Sequence, residues 1–77
     1  MSTTTYIINF PDVDDVDETF PSRQAALDFL TGEVANVEAA AEAALTRAEE
    51  YGHDECHLGN RRTYLWTKNR PATRQIR

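Results

Sequence analysis

The fold turns on residues 22–52, SRQAALDFLTGEVANVEAAAEAALTRAEEYG. Within this stretch Leu27, Leu30, Val34, Val37, Ala41, Ala44, Ala48 and Tyr51 recur at alternating spacings of three and four. That spacing puts them on one face of an α-helix. The alanine-rich run from Glu38 to Leu45 has high intrinsic helix propensity. Ser22 is suited to accept from the free backbone N–H groups of the first turn. Gly52 is suited to the left-handed residue that ends a helix. An unbroken helix from Arg23 to Tyr51 would be about 43 Å long, whereas a compact chain of this size has a diameter of about 30 Å. Compactness therefore favours a kink or break at Thr31-Gly32, with Thr31 capping a second helix from Gly32 to Tyr51. The seam's uninterrupted passage through Gly32, on the outer face, is the argument for continuity.

On either side of the helix the pattern changes to period two. Thr3 to Phe10 reads as a strand, with Tyr6, Ile8 and Phe10 on one face and Thr5, Ile7 and Asn9 on the other. Pro11 to Asp15 has turn chemistry. Val16 to Phe20 is a weaker, acid-rich strand. After the helix, Gly52 to Asn60 reads as a loop and Arg61 to Lys68 as a strand. The expected fold class is α+β. It has a small three-stranded, mostly antiparallel sheet in the order β-β-α-β, packed by one long or kinked helix. The expected core is Tyr6, Ile8, Phe10, Val16, Phe20, Leu27, Leu30, Val34, Val37, Leu45, Leu65 and Trp66.

Seventy-seven residues leave room for one domain, read as residues 1–70 with a basic tail over 71–77. A core of this size is thin, and small domains often gain stability from a disulfide, a metal or a partner. Cys56 is the only cysteine, so no internal disulfide forms. No basic and apolar leader and no apolar run of about 20 residues is present, which points to a cytoplasmic protein without membrane contact.

Charge is divided sharply along the chain. Residues 1–55 carry all 13 acidic side chains against Arg23 and Arg47, a net of −11, while residues 56–77 carry six basic side chains and no acidic one, a net of +6. Two readings compete. The basic last strand either neutralises an acidic hairpin beside it, or each sign forms a surface that steers a charged partner.

Four constellations bear on function. Asp12, Asp14, Asp15, Asp17 and Glu18 form an acidic arm, and Glu38, Glu42 and Glu49, with Asp28, lie off the apolar seam of the helix. Such rows of carboxylates imitate phosphates and fit grooves lined with Arg and Lys. Arg61, Arg62, Tyr64, Trp66, Lys68 and Arg70 interleave cations and aromatic rings on one strand, a pattern that suits single-stranded nucleic acid. An overall pI near 4.8 argues against that reading. His53, Cys56 and His57 would share a face if helical, but their spacing matches no zinc motif, and Cys56 with His57 lacks any oxyanion-binding signature. The narrow seam of Ala41, Ala44 and Ala48 either lies over the sheet or pairs with a second copy in a homodimer.

No phosphate loop, cofactor motif or paired catalytic carboxylate in a cleft is evident, so no cofactor and no enzymatic activity are expected. In being short, acidic and without a cofactor motif, the chain resembles the small phage-encoded inhibitors, anti-CRISPR proteins among them. The resemblance is one of size and charge. It implies a non-catalytic protein that binds a larger partner with a basic surface, through the acidic arm and the helix carboxylates, and inhibits or modulates it. The alternatives are a nucleic-acid-binding accessory module using Arg61, Arg62, Tyr64, Lys68 and Arg70, and a structural homodimer.

Overall fold

The computed structural model describes residues 2–71, with side chains over 4–68. The chain order is β1 (Ser2–Asn9), β2 (Glu18–Phe20), α1 (Arg23–Glu33), α2 (Glu38–Tyr51), β3 (His53–Leu58) and β4 (Arg61–Pro71). The α+β class holds, but the described residues form four strands and two helices where three strands and one long or kinked helix were expected. The sheet order is β2-β1-β4-β3, with every neighbouring pair antiparallel. Two hairpins thus flank a helical pair, and β1 and β4 meet at the centre. The tail expected over 71–77 lies, past Pro71, outside the described residues.

Period two decides which side chains meet the helices. Tyr6, Ile8, Phe10, Thr63, Leu65 and Leu58 are buried on one face of the sheet. Both helices lie on that face, adding Ala26, Leu30, Val37, Ala41, Ala44, Leu45 and Ala48 to the same core. Phe29 completes it, with its ring 5.8 Å from that of Phe10 and 4.9 Å from that of Phe20. Two expected core residues are displaced. Val16 lies in the loop before β2 and is 51% exposed. Trp66 sits one position from Leu65 and so points to the opposite face.

Both outer helix caps fall where expected. The Ala25 N–H donates to Ser22 Oγ at 3.1 Å, and Gly52 (φ 88°) donates its N–H to the Ala48 carbonyl at 2.8 Å. The break does not fall at Thr31-Gly32. Thr31 donates its hydroxyl back to the Leu27 carbonyl within α1, and Gly32 stays helical. The helix ends instead at extended Val34, and the chain turns through Asn36 at φ 60°. Asparagine is among the few residues that enter this left-handed region readily.

The expected loop over 52–60 is the second correction. His53–Leu58 is a strand, joined to β4 by the two-residue turn Gly59-Asn60, with Gly59 at φ 63°. A Gly-Asn pair between two strands is a tight-hairpin signal. It is obscured here by the polar run His-Asp-Glu-Cys-His before it.

The alanine seam has a definite role. Ala41, Ala44 and Ala48 have no exposed surface, because α2 lies close over β3 and β4. Thr67 fastens the contact, its N–H donating to the Gly52 carbonyl at 3.0 Å and its hydroxyl to the Ala48 carbonyl at 2.9 Å. The seam faces the sheet and is closed to a second copy.

Candidate functional site

The acidic arm is a fixed loop between β1 and β2. The Phe10 carbonyl accepts from the N–H groups of both Val13 (3.0 Å) and Asp15 (3.2 Å). Asp14 Oδ1 accepts from the Val16 N–H at 3.3 Å, and Asp17 Oδ1 accepts from the side-chain amide of Asn9 at 2.7 Å. Asp15 adopts φ 52°, which aspartate tolerates better than most residues. These contacts turn Val13 and Val16 outward, 58% and 51% exposed, among Asp12, Asp14, Asp15 and Asp17. The loop therefore displays two apolar side chains next to carboxylates in the chain.

The expected acidic residues do not form one continuous patch. Glu18 begins β2, opposite Ile8. Glu38 opens α2 and Glu42 stands exposed one turn later. Glu49 is committed to the fold: it accepts from the Tyr6 hydroxyl at 2.5 Å and from Arg23 at 2.6 Å. The same Arg23 reaches the Glu42 carbonyl and the Thr46 hydroxyl, so it clamps α1 to α2. Burial, then the hydrogen bond to Glu49, pushes the Tyr6 hydroxyl up from 10.0 to about 12.

Beside the acidic loop, Asp12 and Val13 share an open cleft of about 460 Å³ with the turn between the helices and with Leu58, Asn60, Arg61 and Arg62. Arg61 is structural here. Its guanidinium lies 4.8 Å from the Phe10 ring centre and 3.5 Å from Glu33. Among the described ion pairs, the one made by β4 thus goes to α1, while Asp12 shares the cleft with Arg61 and Arg62. The other described ion pairs, Arg23–Glu49 and Arg47–Asp54, tie helix to helix and α2 to β3.

Arg62, Tyr64, Trp66 and Lys68 occupy the face of the sheet that no helix covers. Tyr64 meets Trp66 edge-on at 5.9 Å and 76°. The Arg62 guanidinium lies 5.5 Å from the Tyr64 ring centre and donates to its hydroxyl at 3.1 Å. Cross-strand neighbours extend the face: Ile7 and His53 flank Trp66, Glu55 and Asn9 flank Tyr64, His57 lies opposite Arg62 and Thr5 opposite Lys68. Arg70 is on β4 opposite Thr3, but its side chain lies outside the described residues. A second cleft, of about 270 Å³, is lined by Ile7, Asp17, Trp66, Thr67 and Lys68. Sequence reasoning placed Trp66 in the core, and read His53 and His57 with Cys56 in a loop rather than on a strand beside Trp66. The signal was available in parity, since a strand that buries Leu65 turns Trp66 away.

β3 also separates the cysteine from the histidines. His53 and His57 share the open face, while Cys56 turns toward the helix side and is half-buried. Burial, reinforced by the negative charge of Asp54, raises the Cys56 thiol from 9.0 to about 11. A thiol held protonated at neutral pH is a poor nucleophile. Among the described residues no group of three or more His, Cys, Asp or Glu side chains is placed to hold a metal ion, and no helix is long and apolar enough to cross a membrane. Comparison of the chain with protein-family models, with curated proteins and with solved structures finds no match.

Proposed function

We propose that the protein is a non-catalytic binding protein whose loop 11–17 docks on a basic surface of a larger protein and inhibits or modulates it. This is the mode of action implied by its resemblance in size and charge to small phage-encoded inhibitors. The supporting observation is the loop itself, in which Val13 and Val16 project between carboxylates on a backbone already tied to the Phe10 carbonyl. Carboxylates steer encounter and select a cationic surface. The two valines supply apolar contact, and the preformed turn lowers the ordering cost of binding. Glu38 and Glu42 add exposed carboxylates on α2, apart from the loop. Glu49 is committed to Tyr6 and Arg23 instead.

The test is a triple substitution, Asp12→Asn, Asp14→Asn and Asp15→Asn. Asparagine keeps the acceptor at position 14 and tolerates the left-handed backbone at position 15. Asp17 is left intact because Asn9 holds it. The tagged wild-type protein is expected to retain a discrete protein partner from nuclease-treated lysate. The triple variant is expected to lose at least about tenfold in affinity for that partner, with an unchanged melting temperature. Equal affinity of the two proteins would overturn the loop's role.

A further inference from the structure

The open face of the sheet carries the β4 cations Arg62 and Lys68 around Trp66, with Asp17 at one edge and Glu55 on β3. We propose that this face binds single-stranded nucleic acid, with a base stacked on Trp66 and flanking phosphates held by Arg62 and Lys68. Trp66 is the one aromatic side chain of the face that is freely offered, being 36% exposed. Tyr64 stands against it edge-on, and Arg62 covers the Tyr64 ring. Tyr64 is therefore the buttress that fixes the indole, and the indole is the platform. Stacking on such a platform tolerates any base and requires one that is unpaired and unstacked from its neighbours, which a duplex does not supply.

The surroundings of Trp66 fit a nucleotide. Ile7 and Lys68 share the cleft beside the indole with Asp17, so one wall is apolar and the rim holds a cation. A carboxylate at that rim accepts hydrogen bonds only, and the exocyclic amino group of cytosine donates one. Arg62 and Lys68 stand four and two residues on either side of Trp66 along one extended strand, on the same face as the ring. His53 and His57 border this row on β3, together with Glu55, the face's other carboxylate.

A second copy is the rival occupant, and this face offers it little exposed apolar surface. A stable interface buries about 800 Å² on each partner. Here one partly exposed tryptophan is flanked by half-buried Ile7 and Tyr64, and two cations stand along the same strand.

Because Trp66 is the only tryptophan, its emission reports directly on this face. The experiment titrates the full chain with a 12-residue oligodeoxycytidine. It follows Trp66 emission and, in parallel, the anisotropy of a labelled oligonucleotide. Quenching is expected, with a log–log salt dependence of only about −1 to −2, as two phosphate contacts require. Trp66→Ala and Lys68→Glu are each expected to weaken binding, the former by about tenfold or more, and a blunt duplex to bind more weakly than the single strand. Neither side chain belongs to the buried core, so both variants should remain folded, which a thermal melt of each checks. The triple-asparagine loop variant should bind the oligonucleotide normally, which separates this inference from the loop's role. Absence of quenching and of anisotropy change at low salt would overturn it. So would wild-type affinity in both variants, or a concentration-dependent dimer abolished by Trp66→Ala and indifferent to oligonucleotide.

Discussion

Two adjacent cross-strand pairs on β1 and β4 have opposite fates. Ile8 lies opposite Leu65, and both are sealed from solvent under the helices. Ile7 lies opposite Trp66 one residue away, and that pair faces out. All four residues are apolar, and the backbone around them is the same antiparallel ladder. The difference comes from the pleat, which sends successive side chains to opposite faces, and from the helices, which cover one face only. Stability and surface chemistry are thus interleaved along single strands, and a shift of one residue in register would exchange them.

The sharpest way to test the contrast is to truncate one member of each pair. Leu65→Ala is expected to destabilise the protein by about 2–5 kcal/mol, from lost burial and the cavity left behind. In a domain this small that lowers the melting temperature by roughly 10 °C or more. Trp66→Ala should cost less than about 1 kcal/mol, the range of exposed positions. Denaturant melts of the two variants measure both values, and equal losses would break the distinction between the faces.

A smaller effect probes how closely the covered face is packed. Ala44→Leu inserts a branched side chain where α2 meets the sheet with no exposed surface, and is expected to cost about 1–3 kcal/mol by overpacking. A neutral result, read from the same melts, would show room between α2 and the sheet.

The smallest effect concerns the polar rim of the covered face, where Tyr6 meets Glu49. Tyr6→Phe should cost about 1 kcal/mol at neutral pH and change the alkaline limb of the stability curve. The folded state holds the Tyr6 proton up to about pH 12 against 10.0 for the unperturbed group. Its contribution is therefore complete below pH 10 and lost as pH rises from about 10 to about 12. Cys56, raised from 9.0 to about 11, gives a decline of the same sign from about pH 9. Melting temperatures measured from pH 8 to 12 should fall in the wild type, and less steeply above pH 10 in Tyr6→Phe. Parallel curves would remove Tyr6 from the account.

The α+β class, the first strand and the outer helix ends were legible because each rests on local chemistry. Ser22 accepts a hydrogen bond from its own first turn, Gly52 alone adopts the backbone its position needs without strain, and Tyr6, Ile8 and Phe10 alternate cleanly. The missed elements depend on partners distant in sequence. β3 buries Leu58 fully and Asp54 and Cys56 partly, so its inward face includes a carboxylate and its apolar pattern is weak until β4 and α2 supply the other half. On β4 both Leu65 and Trp66 are apolar, so the strand alone does not say which is inside. The helix ends at extended Val34 and the chain turns at Asn36 rather than breaking at Gly32, because a solvent-facing glycine is tolerated within a helix at about 1 kcal/mol. In the candidate site, Asp17 and Glu49 look like any other surface carboxylates until Asn9, Tyr6 and Arg23 are placed beside them.

The ion pair between Arg47 and Asp54 has a bearing on self-assembly. β3 is one margin of the sheet, and an unpaired margin is a template for cross-β growth between molecules. Asp54 points inward from that margin, with both carboxylate oxygens held by Arg47 at 3.1 and 3.2 Å. An incoming strand that continued the ladder would have to accommodate this ionic clamp on α2. The other margin, β2, is only three residues long and gives little purchase. The pair that ties β3 to α2 thus also places a charge beside the margin at which the sheet would otherwise be extended.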